Sequence, residues 1–589
     1  MTVTWPLDID FADKELAQAI LATWQEVTEA VAVEPYLFPE VKVALAKVIV
    51  GSRYAAEYIL KHPEWLRGNV ESGDLFTVYQ PLEMLSHVRA ALIGSETDER
   101  LMVALRQVRH REMVRIIWRD MSGWASLEET LLDVSNLADA CIAEASEFAY
   151  QDQVNRVGQP CSELGEKQPF VVIGMGKLGA FELNFSSDID LIFAFPRVGE
   201  TQAESSVPNV TFFNKVGQQL IKLLDTTTEH GFVFRVDVRL RPFGDSGPLV
   251  MSFDALESYY QGTAREWERY AMVKARVIVG GEEASAEFSE LLQPFVYRRY
   301  LDFNVLPALR EMKGMITAEA NRKGMSHSIK LGWGGIREVE FVGQVFQLIR
   351  GGREPSLQVR PIIEVLDALQ VIGILQGETV IALKQGYAYL RRTENHIQML
   401  SDQQTHLLPN GSALERLAIS MGCDNIADFE ALLDGHRESV HQCFADVFAE
   451  EWRPDADIQW LQMWQGQALD LSLVWGYLDA TDARRQLLLF RESRAYRVMS
   501  EVGRQKLDLL MPKFLSELSL EPPASESLPR FLTLFEAISG RVSYLSLLSD
   551  NASARQHFIR LASSSEWIMS LLTRFPLLMD ELLDSRQLY

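Results

Sequence analysis

The sequence predicts an α+β protein that is predominantly helical, with one small mixed sheet. Three observations carry this prediction. Apolar residues recur at three- and four-residue spacing over most of the 589 residues. Two short apolar runs flank a glycine-rich turn between Pro169 and Pro196, and the stretch from Phe232 to Leu240 alternates apolar and polar residues at period two.

From about Ala12 to Glu147 the pattern is almost wholly helical, as in Val43, Ala46, Lys47 and Val50 leading to Tyr54. The charged faces between these apolar stripes are expected in solvent. Residues 156–168 (RVGQPCSELGEKQ) break the periodicity with glycine, proline and polar side chains, so a new domain is expected there. Phe170 to Ile173 then reads as a buried strand and Gly174, Gly176 and Gly179 as a turn. Asp188 and Asp190 enter a second apolar strand ending near Pro196. Thr211 to Glu229 carries Phe212, Phe213, Val216, Leu220, Leu223 and Leu224 on one helical stripe, with His230-Gly231 as its stop. In the alternating run that follows, one face is apolar and the other holds Asp237 among Arg235, Arg239 and Arg241.

Helices return from Asp254 to about Glu450, interrupted at IKLGWGGIREVEF (329–341), where a helix begins near Ile336. Residues 453–458 (RPDADI) read as a linker. A last helical region, broken by EPPASESLP at 521–529, runs to Tyr589. Ser52 through Pro63 matches Ser565 through Pro576 in helical pattern, 513 positions apart at both ends. This is either an internal repeat or the chance likeness of two helices. The expected domains are 1–150, 151–280, 281–452 and 453–589.

A chain of 66.8 kDa exceeds the size at which one core stops growing, and 47% apolar residues supply ordinary globular cores. The net charge of −24 argues against a grip on nucleic-acid backbone, which depends on basic residues. The opening MTVTWPLDID lacks the features of a signal peptide, and no long uncharged apolar run marks a membrane span, so a cytoplasmic location is expected. Cys141, Cys161, Cys423 and Cys443 are too scattered for a disulfide framework or a zinc site.

Side chains alternate along a strand, so Asp188 and Asp190 share a face opposite Ile189, Leu191 and Phe193. Two unpartnered carboxylates repel, and a divalent cation preferring hard oxygen ligands, Mg²⁺, relieves this. The turn Gly174-x-Gly176-x-x-Gly179 also fits a dinucleotide-binding fold. That fold places a lone acid at the end of the next strand, where this chain has Phe193-Ala194-Phe195. The pairs Asp8/Asp10 and Asp455/Asp457 lack both turn and strand and read as structural.

Asp237 is the candidate third acid, the other reading being simple salt bridging to its neighbouring arginines. Three acids on neighbouring strands suit two-metal nucleotidyl transfer. The glycine turn lets backbone N–H groups approach phosphate, Ser186 or Ser187 can add a hydroxyl, and arginines such as Arg239 can supply charge-assisted contacts. Arg337, Glu338 and Glu340 can reach such a site, yet acids are also what a helix start favours. Glu394-Asn395-His396 has no metal-ligand spacing and reads as surface or core.

Four motifs in order, GMGKLGAFELNFSSDIDLIF, FVFRVDVRLRPFGDSGPLV, IKLGWGGIREVEF and DQQTHLLP, make nearly the whole chain resemble the bacterial bifunctional glutamine synthetase adenylyltransferase/adenylyl-removing enzymes. The resemblance implies a DNA polymerase beta-like nucleotidyltransferase core at 151–280, flanked by helical domains. Family members carry two such halves, and this chain resembles the N-terminal, adenylyl-removing half plus the helical start of the next. The implied reaction is attack of inorganic phosphate on the AMP–tyrosyl bond of glutamine synthetase, giving ADP. Adenylylation from ATP, or a regulatory docking role, is the alternative. By the match, Asp188, Asp190 and Asp237 are the catalytic, Mg²⁺-binding acids and Gly176 with Lys177 the nucleotide-phosphate turn; the residue reading adds Ser187 and Arg239 as nucleotide-binding candidates. Glutamine synthetase, the PII signal protein and glutamine as effector are the implied partners. Trp333 departs from the family pattern, where a small or basic residue is usual; only local packing is affected.

Overall fold

The glycine turn and its two apolar runs form the centre of a five-stranded mixed sheet. The computed structural model describes residues 4–9, 11–31, 38–298, 328–448, 454–465, 478–550 and 552–579. Among them, β1 (Gln159–Pro160) pairs only with β4 (Thr201–Gln202). The sheet proper is built from β2 (Val171–Gly174), β3 (Ile189–Phe195), β5 (Val236–Asp237), β6 (Val250–Ser252) and β7 (Arg276–Val279).

β2 runs antiparallel to β3, from Val171 opposite Ala194 to Gly174 opposite Leu191, and antiparallel to β7 on its other edge. The free edge of β3 is shared: β5 lies parallel beside Ile189 and Asp190, and β6 parallel beside Phe193 to Phe195. Every residue of β2, and every residue of β3 except Asp190, is buried, which is why both read as continuous apolar runs. The helix Asn209–Asp225 covers the sheet with all six residues of the predicted stripe buried. Phe213 stacks on Phe195 at 4.8 Å and on Phe170 at 6.0 Å. Burying one such side chain contributes roughly 1.5–3 kcal/mol.

That helix stops at Asp225, short of the predicted His230-Gly231. Arg106, from the helix Asp98–Ser122, takes the carbonyls of Leu223 and Thr226, and the N–H groups of Val233 and Phe234 take that of Leu224. Gly231 closes a separate turn with Thr228. The long strand expected from Phe232 to Leu240 shrinks to Val236 and Asp237 for the same reason. On its N-terminal side the backbone bonds to the helix end. On its C-terminal side Arg241 N–H returns to the Val238 carbonyl.

The N-terminal region is helical as predicted, in Lys14–Val31, Pro39–Gly51, Arg53–Lys61, Pro63–Ser72, Glu83–Ala91, Asp98–Ser122 and Leu127–Val157. Its charged faces are not all in solvent. Arg106, Arg109, Arg115 and Arg119 of the Asp98–Ser122 helix are buried. Arg115 pairs with Asp133 at 3.2 Å and Arg119 with Glu129 at 2.6 Å, and both also donate to loop carbonyls. Buried charge is tolerated where partners and hydrogen bonds saturate it.

Two compact units divide the described residues, one holding 4–297 and 328–444, the other 445–579 together with Arg298. The second is all-helical, with a core that includes Leu507, Leu510, Met511, Phe514, Phe531 and Phe535. The predicted linker begins a helix, Pro454–Gln465, because its proline stands at the first helical position, where no N–H is needed. Of the predicted break at 521–529, the part from Ala524 on is helical too, in Ala524–Ala537. Among the described residues no helix is long and apolar enough to cross a membrane.

The likeness of the two stretches extends to the backbone. Pro39–Gly51 and Ala552–Ser564 are each 13 residues, and Arg53–Lys61 and Glu566–Arg574 each 9, at the same offset. Ser52 (φ −140°, ψ 109°) and Ser565 (φ −146°, ψ 114°) cap the second helix, accepting from the N–H of Ala55 and of Ile568. A proline follows each C-terminal cap.

Candidate active site

The parallel register of β3 and β5 sets Asp190 directly beside Asp237. Two of the three predicted acids therefore meet across one ladder, and Asp188 precedes them at the strand entrance. The turn before them needs glycine at two places. Gly176 has φ +54°, and a Cβ there would stand 3.0 Å from Asp190 Oδ2; at Gly179 a Cβ would fall 2.0 Å from the Lys274 carbonyl oxygen. The turn thus lies against Asp190 on one side and against Lys274 on the other.

The three acids differ in state. Asp190 is half-buried, and its carboxylate makes no hydrogen bond or ion pair among the described residues; burial, and next the charge of Asp237, push it up to about 6. Asp188 Oδ1 accepts from Arg235 Nε at 2.8 Å. Asp237 accepts the backbone N–H of Arg239 at 2.8 Å and its Nε at 2.9 Å, and these hydrogen bonds hold it below the usual carboxylate range. With two acids turned to arginines, no three His, Cys, Asp or Glu side chains among the described residues are gathered as a metal site. Their chemistry still fits Mg²⁺: three carboxylates are hard oxygen donors, one of them is unpaired, and the missing Cβ of Gly176 leaves its oxygen uncovered.

Lys177 does not project from the turn. Its Nζ donates to Glu394 Oε2 and Asn184 Oδ1, both at 2.9 Å, and burial pulls it down to about 7. Although burial raises Glu394, Lys177 and Arg391 hold it at about 2. Ser187 is half-buried beside Asp188, Ser186 is buried with its hydroxyl 3.2 Å from Arg235, and the Arg239 side chain is 71% exposed. Of the residues at 337–340, Glu340 pairs with Lys274 at 3.0 Å and Glu338 with His441 at 3.1 Å. The charge of Arg337 acts on Tyr270. Trp333 lies against His441 with ring centroids 4.6 Å apart.

The helix Gly377–Met399 lies within the predicted helical stretch, and Glu394, Asn395 and His396 are buried in it, as one of the two readings of that triplet expects; their role at the site was not foreseen. Three of its side chains hold the loop leading to the Asp pair: Glu394 takes Asn184 Nδ2 at 2.7 Å, Asn395 Oδ1 takes the Phe185 N–H at 3.2 Å, and Gln398 Oε1 takes the Ser186 N–H at 2.9 Å. His396 meets Asp120 at 2.8 Å.

On the other side of the site Arg109 forks onto Asp402 at 2.6 and 3.0 Å. Its guanidinium carbon lies 5.1 Å from the centroid of the Phe232 ring, and that of Arg235 lies 4.9 Å from the same centroid. Arg235 is therefore held by stacking as well as by Asp188.

Residues 43–291 match the family described as glutamate-ammonia ligase adenylyltransferase, and residues 310–448 the one described as GlnD PII-uridylyltransferase. The chain is similar to bifunctional glutamine synthetase adenylyltransferase/adenylyl-removing enzymes. That of Thioalkalivibrio sulfidiphilus is 46% identical over 563 residues, covering 93% of this chain and 58% of the relative. That of Nitrosococcus oceani is 43% identical over 585 residues, covering 97% and 60%, and that of Pseudomonas putida 42% over 585 residues, covering 96% and 60%. The chain thus spans 58–60% of the length of these relatives.

Proposed function

The chain belongs to the family of bifunctional glutamine synthetase adenylyltransferase/adenylyl-removing enzymes, and from that premise we propose that its site removes AMP from the adenylylated tyrosine of glutamine synthetase by phosphorolysis. The observation that carries the proposal is the register placing Asp190 against Asp237 beside the glycine turn. Asp188, Asp190 and Asp237 would hold Mg²⁺, which when bound supplies charge neutralisation at the transferred phosphoryl group.

In the reaction an oxygen of orthophosphate forms a bond to the AMP phosphorus as the bond from that phosphorus to the tyrosyl oxygen breaks. The products are ADP and the unmodified tyrosyl side chain of glutamine synthetase, whose oxygen takes the proton the incoming phosphate gives up. The chain's own residues orient these groups. The turn at Gly174 to Gly179 offers backbone N–H groups, and the Gly377–Met399 helix fixes the loop before Asp188. Arg235 and Arg239, now on Asp188 and Asp237, are the cations available to phosphate oxygens once the acids have another partner.

The likeness of residues 310–448 to a PII-uridylyltransferase favours the PII signal protein as a partner; glutamine as effector rests on the family resemblance alone. The test is incubation of the chain with adenylylated glutamine synthetase, Mg²⁺ and phosphate, with nucleotides separated by chromatography. ADP is expected, and the double variant Asp188→Asn, Asp190→Asn should release none while keeping its thermal unfolding. Unchanged turnover in that variant, or AMP transfer only from ATP, overturns the proposal.

A further inference from the structure

The cations around the three acids are mostly spoken for. Arg235 holds Asp188, Arg239 holds Asp237 and Lys177 holds Glu394. Lys330 is different: its ammonium makes no hydrogen bond or ion pair among the described residues, although the side chain is half-buried.

Its position is fixed by backbone. Ser328 pairs with Leu407 and the Ile329 N–H reaches the His406 carbonyl at 2.8 Å. The chain then folds back, with the N–H groups of Ile336 and Arg337 returning to the carbonyls of Ile329 and Lys330 at 3.2 Å each. His406 Nδ1 stands 4.0 Å from Glu394 Oε1, while the other oxygen of Glu394 bears Lys177 from the glycine turn. The IKLGWGG turn is thereby tied to the site through two residues, His406 and Glu394. The charge of Lys330 acts on Asp190, Lys177, Glu394 and His406. Arg337, one turn further on, acts on Tyr270 instead.

We propose that Lys330 binds the attacking orthophosphate. The inference rests on the phosphorolytic reading above and names the residue that would receive its anionic nucleophile. An incoming phosphate approaches three carboxylates and needs a cation that is not already committed to one of them. A lysine serves as a point charge with three donors and suits a rotating, non-planar anion. Lys330 is placed to do so without breaking an existing pair.

The test uses the full chain with Mg²⁺. Binding of radiolabelled orthophosphate is measured without any protein substrate, and the KM for phosphate is measured in ADP release from adenylylated glutamine synthetase. Lys330→Gln should weaken phosphate binding and raise that KM about tenfold to a hundredfold, the range expected for one charge-assisted contact, with a smaller change in kcat. Lys330→Arg should recover most of the loss. Lys330→Gln with unchanged phosphate binding and KM overturns the assignment, as does a fall in kcat and thermal stability alone. Phosphate binding that depends on Lys330, without any ADP formation, would instead keep the assignment and remove the phosphorolytic reading.

Discussion

The two helix pairs at 39–61 and 552–574 share length, serine cap and following proline, yet they stand in different chemistry. At the position where the first has Tyr54, half-buried with its hydroxyl 2.5 Å from His110 and 3.3 Å from Arg109, the second has Trp567, 71% exposed. Ser52 caps its helix and also donates to the Met399 carbonyl at 2.6 Å, whereas the Ser565 hydroxyl, among the described residues, makes only the cap bond. The contrast extends to their units. The first buries a large set of arginines and acids, and the core of the second is apolar, with Arg555 on Glu517 as one buried pair. Local sequence therefore writes the helix pair, and its surroundings decide whether it supports a polar site.

The contrast can be broken or sharpened by substitution. The largest effect is expected from Asp237→Asn, which should lower AMP removal on the order of 1,000-fold with little change in unfolding. Trp567→Ala, in the second pair, should change neither. Next, Arg109→Met leaves Asp402 buried without its partner and should cost about 3–5 kcal/mol in denaturant unfolding. Phe514→Ala should cost the second unit a similar amount through a cavity instead. If Arg109→Met costs no more than a surface change, the description of the first unit as built on buried charge fails.

Acid should separate the units in the same way. Burial raises Glu340, but Lys274, Lys177 and Arg391 hold it at about 2, below its ordinary 4.5. Its contribution is present above pH 4.5 and is lost as pH falls from there toward 2. Glu340→Gln should therefore flatten the acid limb of thermal unfolding followed against pH. The smallest effect is the cap: Ser565→Ala should cost about 1 kcal/mol, and Ser52→Ala somewhat more because a buried hydrogen bond goes with it.

Much of the site was legible in the chain itself. Buried apolar runs, glycine punctuation and the Asp188/Asp190 spacing located β2, the turn and β3, and the arginine-flanked Asp237 located its neighbour. What was not legible has one physical cause. Period and polarity report which face of an element differs, and they do not report what that face meets. Glu394, Asn395 and Gln398 are polar because a loop some 210 residues earlier in the chain needs their oxygens. Arg106 to Arg119 are charged because carbonyls and acids await them inside. The alternation after Phe232 likewise marks a segment that spends its hydrogen bonds on a helix end, so that only two residues join the sheet.

That brevity bears on how the candidate acids come together. Asp237 is tethered by a two-rung ladder and salted to an arginine that reaches into water, while Asp190 sits on the long central strand. One carboxylate is an anchor and the other a latch. Drawing the latch inward asks for the release of one solvent-facing guanidinium and leaves the central β2–β3 ladder undisturbed, so assembly of the site can follow the arrival of its ligands without deforming the core.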